Sequence, residues 1–409
     1  MIQEFEKAGY KIVKSDEKAN IYIINTCTVT NMSDRKSRQM LRKVKEKNKD
    51  AIVVASGCYA QIAKEELEKI REIDLVLGNN EKVEIVKYIE KFLKNNLNLV
   101  KVEDVMQDKE FVEFGNVTYT EKTRAVIKVQ DGCDRFCSYC IIPYARGRVR
   151  SRKPISVINE IQEIVKTGIQ EVVITGIHIA SYGKDFKEEY RLIDLLEEIN
   201  KIKGLKRIRL GSIEPLLINE EFIKRITKLE KVCHHFHLSL QSGCDETLKR
   251  MNRRYNTKEF EHITKLLRNA YKDVILTTDI IVGFPGETEE EFKKTYEFLK
   301  RIKFYKMHIF KYSQRKGTKA DKMENQINGN IKEERSKKLI ELSNSNEFQY
   351  NKSYIGKEIE ILFEEEKNGT YKGHSKNYIL AHYKTNENVE NSIKKLVCYD
   401  IKQEFIMVK

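Results

Sequence analysis

The chain has 409 residues, beyond the size at which one hydrophobic core keeps growing, so two or three domains of roughly 50 to 200 residues are expected. Forty per cent apolar and 34% charged residues, with no window near the roughly 18 unbroken apolar residues of a membrane span, exclude a membrane-spanning helical protein. The net charge of +14 describes either a Lys-rich solvated surface or a footprint for a polyanion.

The opening MIQEFEKAGYK lacks the charged-then-apolar order of a secretory signal, and a cytoplasmic location is expected. Apolar runs then alternate with amphipathic ones: NIYIINTC, a basic helix, AIVVASGC, KEELEKIREI and DLVLGNN. This order predicts a Rossmann-like parallel α/β domain over residues 1–118. Two of its strands end in a cysteine, Cys27 and Cys58, and ligands of open α/β sheets gather at the carboxyl ends of strands. Residues 91 to about 118, including FGNVTYTEKT, carry no strong period and read as a linker.

A β-then-α pattern follows over residues 119–345. Its strands are RAVIKVQDG, EVVITGIHI, LKRIRLGS, HHFHLSLQS, VILTTDIIVGFP and KMHIFKYS, separated by helical runs such as ISVINEIQEIVKTG and TEEEFKKTYEFLKRI. Six units fall short of the eight of a closed barrel, so a partial (β/α)6 barrel is predicted, with its site at the C-terminal strand ends. After a basic helix near 332–345, residues 346–409 turn to short β-rich runs with Gly and Asn turns and predict a small all-β domain of the kind that grips single-stranded nucleic acid.

The chemistry concentrates in DGCDRFCSYC, where Cys133, Cys137 and Cys140 follow the first barrel strand. Three thiols leave a four-coordinate metal one ligand short; a zinc site completed by a distant His or Asp is one reading, and a [4Fe-4S] cluster with one iron open to a small molecule is the other. Two basic runs accompany the thiols. The helix DRKSRQMLRKVKEKNKD holds eight Lys or Arg against three acids and is ordinarily a solvated face. The run ARGRVRSRK holds five with no acid directly after the cysteine loop, where phosphate contacts are expected of its arginines.

Cys-x3-Cys-x2-Cys, with Tyr139 before the last cysteine, resembles the signature of the radical S-adenosylmethionine superfamily. NTCTVT, SGCYAQ, DGCDRFCSYCIIPYARGRVRSR, ITGIHIASYG, RLGSIEP, HLSLQSGCDETLKRMNRRY and DIIVGFPGET, in that order, resemble the methylthiotransferases over almost the whole chain. NTCTVTNMSDRKSRQ and IIPYARGRVRSR are most similar to the branch acting on N6-threonylcarbamoyladenosine beside the tRNA anticodon. The resemblance implies a radical SAM core, a TRAM-like C-terminal domain, the tRNA anticodon stem-loop as partner, and an electron donor of flavodoxin or ferredoxin type. Cys133, Cys137 and Cys140 would bind a cluster chelated by S-adenosylmethionine, whose cleavage yields the radical that takes hydrogen from C2 of the adenine. A second [4Fe-4S] cluster would supply sulfur, with Cys27 and Cys58 among its ligands.

Within the barrel, Ser212, Glu214, Gln241 and Asp279 are polar groups at strand ends and form the expected floor of the cofactor site. Gly176 and Gly183 either let backbone approach the cofactor or are plain turn glycines, and Arg253 or Arg254 either meets the cofactor carboxylate or lies on the surface. At least two of His234, His235 and His237 read as structural, and Cys233, Cys244 and Cys398 read as buried small apolar residues. The family's auxiliary site carries a third cysteine after an initial strand, and neither precedes MIQEFEKAGY here; a start assigned too far downstream is the expected reason, with a true truncation as rival. The alternatives kept open are methylthiolation of N6-isopentenyladenosine and a non-catalytic RNA-binding remnant.

Overall fold

The computed structural model describes residues 1–95, 98–113, 115 and 123–409, so of the expected linker FGNVTYTEKT only Gly115 and Thr123 are among the described residues. The chain forms two compact units: one gathers 1–115, 131–150 and 313–322, and the other gathers 116–130, 151–312 and 323–409.

The first unit is built on a four-stranded parallel sheet whose strands lie in chain order: β1 (Ile21–Thr26), β2 (Ile52–Gly57), β3 (Leu75–Leu77) and β4 (Leu99–Lys101). β2 is buried throughout because alternate residues enter different cores: Val53 and Ala55 pack with Leu41 and Leu67, whereas Ile52 and Val54 pack with Phe5, Ile85 and Ile89. A strand covered on both faces reads as an unbroken apolar run, as AIVVASGC does. The helix Asn31–Lys47 is capped by Thr30, whose side chain accepts from the Ser33 N–H, and it buries Asp34, Ser37 and Leu41 along one face. Much of the stretch read as linker is regular structure: the helix Ile85–Asn95 leads into β4, which pairs Leu99 with Leu75. A strand of three residues carries too little alternation to show in sequence.

The second unit contains the expected open parallel wall. Its strands are β5 (Arg124–Asp131), the two-residue β6 (Arg150–Ser151), β7 (Glu171–Gly176), β8 (Arg207–Leu210), β9 (Ser212–Ile213), β10 (His235–Gln241), β11 (Ile275–Val282) and β12 (Lys306–Lys311). Two hydrogen-bonded sheets, β6, β5, β7, β8 and β9, β10, β11, β12, follow each other, with the break at Gly211. All six predicted strands are present; β6 and β9 are short additions. Helices such as Pro154–Lys166 and Glu289–Ile302 lay their apolar stripes on the wall, and Thr288 and Glu291 close a reciprocal cap at the start of the latter.

The basic helix expected to end near 345 runs from Gly329 to Lys352. Its buried stripe is Arg335, Ser336, Leu339, Ser343, Glu347 and Asn351, nearly all polar, so no apolar period marks where it stops. Beyond it β13 (Glu358–Lys367), β14 (Thr370–Ser375), β15 (Leu380–Lys384), β16 (Ile393–Ile401) and β17 (Ile406–Val408) close into a small barrel. This barrel is fastened to the N-terminal ends of the wall strands. Arg207 donates to the His374 carbonyl at 2.9 Å, Arg209 to the Ser375 carbonyl at 3.2 Å, and Arg124 to the Glu364 carboxylate at 2.7 Å. His235 stacks on Tyr378 with ring centroids 4.6 Å apart, and Ile275 and Tyr305 join the small barrel's own core. Beneath this seam Glu171, 1% exposed, accepts from Arg209 Nε at 2.7 Å and lies 3.8 Å from both Arg207 and Arg124.

Candidate active site

In the first unit, Thr26 is in register with Gly57, so Cys27 and Cys58 leave neighbouring parallel strands side by side. Gly57 holds φ at +103°, and a Cβ there would stand 2.4 Å from the Thr26 carbonyl oxygen, so only glycine permits this turn into Cys58. The Thr26 hydroxyl donates to the Ser56 carbonyl at 2.6 Å and accepts from the Ala60 N–H at 3.1 Å, pinning the two strand ends together. Cys27 is exposed and Cys58 is buried. Arg146 Nε stands 3.0 Å from Cys58 Sγ, and Asn79 Nδ2 reaches the same sulfur at 3.8 Å while donating to the Ala145 carbonyl at 2.7 Å. Burial works against the charge on Arg146, yet the Cys58 sulfur and Asp131, 3.5 Å away, hold its pKa above the ordinary value.

The loop carrying Cys133, Cys137 and Cys140 belongs to the same unit and is braced by its backbone. A Cβ on Gly132 (φ +70°) would lie 1.7 Å from the Arg148 carbonyl oxygen, and the Cys133 N–H donates to the Gly147 carbonyl at 3.0 Å. The Cys140 N–H donates to the Cys137 carbonyl at 2.9 Å, and the Ala320 N–H to the Ser138 carbonyl at 2.7 Å. Phe136 sits at φ +47°, a conformation bulky residues seldom adopt and one that marks a constrained loop. Cys133 is buried, Cys137 and Cys140 are half-buried, and none of the three is in a disulfide. Among the described residues no three His, Cys, Asp or Glu side chains close round a single ion. The fit to an iron–sulfur cluster therefore rests on donor chemistry: three thiols outside any disulfide on one backbone-braced loop, and two more at adjoining strand ends, with N–H donors facing the sulfur of Cys58.

The arginine run after the loop departs from expectation. Arg150 is 2% exposed and bound to Asp108 at 2.6 Å and to the Arg146 carbonyl, and Arg152 is buried on Glu160. With Arg146 turned to Cys58, only Arg148 keeps an exposed guanidinium, at 53%, lying over the Phe136 ring and 3.3 Å from Asp134. Most of the run is internal bracing, which leaves Arg148 and Lys153 as its solvent-facing cations.

In the second unit the predicted polar floor lies toward the C-terminal ends of the wall strands. Glu214 is buried and meets His178 Nε2 at 3.1 Å, while His178 Nδ1 meets the Ser181 hydroxyl at 2.8 Å and its N–H donates to Gln130 Oε1. Ser212 and Ser239 share a hydrogen bond of 2.8 Å, and the Ser239 carbonyl accepts from Arg253 at 3.1 Å. Arg253 also lies over Tyr255, whereas Arg254 is exposed. Asp279 pairs with His237 Nε2 at 3.0 Å. Gln241 holds φ at +72° where the β10–β11 register shifts, a strained bulge of the kind that re-aims a side chain beside a site. Gly176 admits close approach by Gln130, whose carbonyl oxygen would lie 2.8 Å from an added Cβ, and Gly183 (φ +78°) turns tightly against the Tyr190 carbonyl. Packing accounts for both glycines.

A model of the radical SAM superfamily matches residues 127–299, and one described as uncharacterized protein family UPF0004 matches residues 1–78. A threonylcarbamoyladenosine tRNA methylthiotransferase, MtaB, of Bacillus subtilis (strain 168) is 39% identical over 400 residues, 96% of this chain and 88% of that protein. This chain belongs to the radical SAM methylthiotransferases. The MtaB of Aquifex aeolicus (strain VF5) is 42% identical over 89% of this chain and 88% of its own length. A tRNA-2-methylthio-N(6)-dimethylallyladenosine synthase of Clostridium beijerinckii is 36% identical over 91% and 81%. Among solved structures, the radical S-adenosylmethionine methyltransferase TsrM from Kitasatospora setae, with cobalamin and a [4Fe-4S] cluster bound, aligns with a TM-score of 0.53 at 17% identity. It covers 73% of this chain and 64% of that one, a likeness of fold alone.

Sequence reasoning about this methylthiotransferase missed His178, the pairing of His237 and the N–H donors that face Cys58. His178 lies inside ITGIHIASYG and bonds Glu214, and His237 bonds Asp279, so two of the four predicted polar residues carry an imidazole partner. His234, bound to Asp273, and His235, stacked in the small-barrel seam, are structural as expected, as are the buried Cys233, Cys244 and Cys398. Asn79 comes from DLVLGNN, read only as a strand end; its place after a third parallel strand was the available signal.

Proposed function

We propose that this chain inserts a methylthio group at C2 of N6-threonylcarbamoyladenosine in tRNA, next to the anticodon. The observation that carries the reading is the grouping of the Cys133–Cys140 loop with Cys27 and Cys58 in one compact unit, joined through Arg146. When bound, a reduced [4Fe-4S] cluster and S-adenosylmethionine supply a radical able to take hydrogen from a carbon that no acid or base at pH 7 would activate. This chain's share is to hold and orient. Cys133, Cys137 and Cys140 are assigned to one cluster and Cys27 and Cys58 to the other. Ser212, Gln241, Glu214 and Asp279, the last two oriented by His178 and His237, are assigned to the polar groups of the cofactor, with Gly176 and Arg253 supporting the strand ends beside them.

The higher identity to threonylcarbamoyladenosine enzymes, 39 to 42% against 36%, favours that substrate over isopentenyladenosine. A flavodoxin- or ferredoxin-type protein is assigned as electron donor. A cytoplasmic location is assigned together with the tRNA substrate. Among the described residues no helix is long and apolar enough to cross a membrane. Mass spectrometry of tRNA nucleosides from a deletion strain tests the reading. Loss of the methylthio-threonylcarbamoyl nucleoside is expected; loss of the isopentenyl product instead would overturn the substrate, and no change in either would favour the RNA-binding remnant.

A further inference from the structure

The arginine run has an internal division of labour. Arg148, Arg150 and Arg152 each point at a carboxylate, of Asp134, Asp108 and Glu160, but the shortest contact of Arg146 is with sulfur, 3.0 Å from Nε to Cys58 Sγ. Its direction is fixed from behind. The helix Ile142–Arg146 ends at Gly147, held at φ +75° where a Cβ would stand 2.0 Å from the Val105 carbonyl oxygen. Arg150 also donates to the Arg146 carbonyl at 2.6 Å.

Asn79 supplies a second, independent sign. It is buried, its Nδ2 faces both Cys58 Sγ and the Ala145 carbonyl, and its Oδ1 has no hydrogen-bond partner among the described residues. Leaving a buried amide oxygen unsatisfied costs about 1–3 kcal/mol. Turning the amide over would lose both N–H contacts, so the orientation is set by what the N–H group serves. Two donors thus converge on one cysteine sulfur.

We propose that Arg146 and Asn79 are positioning residues of the sulfur-handling site: they orient the Cys58 thiolate for iron and donate hydrogen bonds to the ligand sulfur. The inference rests on the reading of Cys58 as a cluster ligand. Hydrogen bonds to sulfur withdraw electron density and are among the levers that set cluster potentials, raising them by favouring the more negative reduced form. Partners of this outer kind also hold metal, and their loss typically lowers affinity by about 10- to 100-fold. Arg146 lies six residues beyond Cys140 on the same braced segment, so the segment that carries one cluster's thiols also carries the donor for the other's.

The test uses the full chain, reconstituted anaerobically, as wild type, Arg146→Met, Arg146→Lys and Asn79→Ala, each in a Cys133→Ala, Cys137→Ala, Cys140→Ala background and with the triplet intact. Iron per chain is counted, the midpoint potential is read by redox titration, and iron loss to a chelator is timed. In the triplet-free background, Arg146→Met is expected to lower the potential and to release iron at least about tenfold faster. Arg146→Lys, which keeps the charge and most of the packing, is expected to fall between, and Asn79→Ala to shift both readouts in the same direction by less. Unchanged potential and release in Arg146→Met and Arg146→Lys, with a normal wild-type iron count, overturns the proposal alone. About four irons in the wild type and none in the triplet-free chain overturns the second cluster and the proposal together.

Discussion

Replacing Glu171 by alanine isolates the junction between the parallel wall and the small barrel. Glu171 is the only carboxylate within 4 Å of Arg209 among the ion pairs of the described residues, and it also lies 3.8 Å from Arg207 and Arg124. Removing one member of a buried pair costs about 3–5 kcal/mol, because the remaining charge is left without compensation. Arg209 would keep the Ser375 and Lys376 carbonyls, and Arg207 would keep Glu360, so the low end, about 3 kcal/mol, is expected. In a unit of this size that lowers the melting temperature by roughly 6–12 °C. Glu171→Gln, which keeps an acceptor oxygen at the same place, should recover about half of the loss. Melting followed by circular dichroism, with cluster content measured in parallel, is the assay. A shift under about 2 °C for the alanine variant would show that the buried charges are hydrated or repaired, and the reasoning would fail.

Three further outcomes follow from other side chains. Arg148→Ala should weaken tRNA binding and reduce the slope of log affinity against log salt by about 0.7–0.9, one phosphate contact, whereas Arg150→Ala should leave the slope alone and destabilise the fold by about 3 kcal/mol; equal slopes for Arg148→Ala and wild type would return Arg148 to plain surface. His235 gives a pH dependence: burial, reinforced by Arg209 and by His237, His374 and His308, pushes its pKa well below the usual value. The unfolded chain takes up a proton below about pH 6.5 while the folded chain does not, so stability is complete above that pH and falls by up to about 1.4 kcal/mol per unit below it. His235→Phe should flatten the fall in melting temperature between pH 7 and 5, and an unaltered pH profile would refute the assignment.

What sequence made legible were features that declare themselves locally. Cys27 and Cys58 close apolar runs, and the triplet spacing is contained in eight residues, so their placement needed no knowledge of distant partners. The arginines are the opposite case. Arg150 meets Asp108 and Arg146 meets Cys58, each a residue far along the chain, so a run without acids in sequence became a set of paired side chains in space, as Arg207 with Glu360 is elsewhere. β4 and the helix that continues to Lys352 were missed for a related reason: one is three residues long, and the other buries a polar stripe.

The fastening of the small barrel to the N-terminal ends of the wall acts as a ruler. Glu171, Arg207, His235 and Ile275 each open their strands, whereas Glu214, Gln241 and Asp279 lie beyond, at or toward the opposite ends. At about 3.3 Å per residue, His235 to Gln241 along β10 is roughly 20 Å and Ile275 to Asp279 along β11 roughly 13 Å. An RNA gripped by the small barrel and reacting at the far end must bridge such a length, which a folded stem and loop can do and a free nucleoside cannot. Substrate choice would then be enforced by reach as much as by the chemistry of one base.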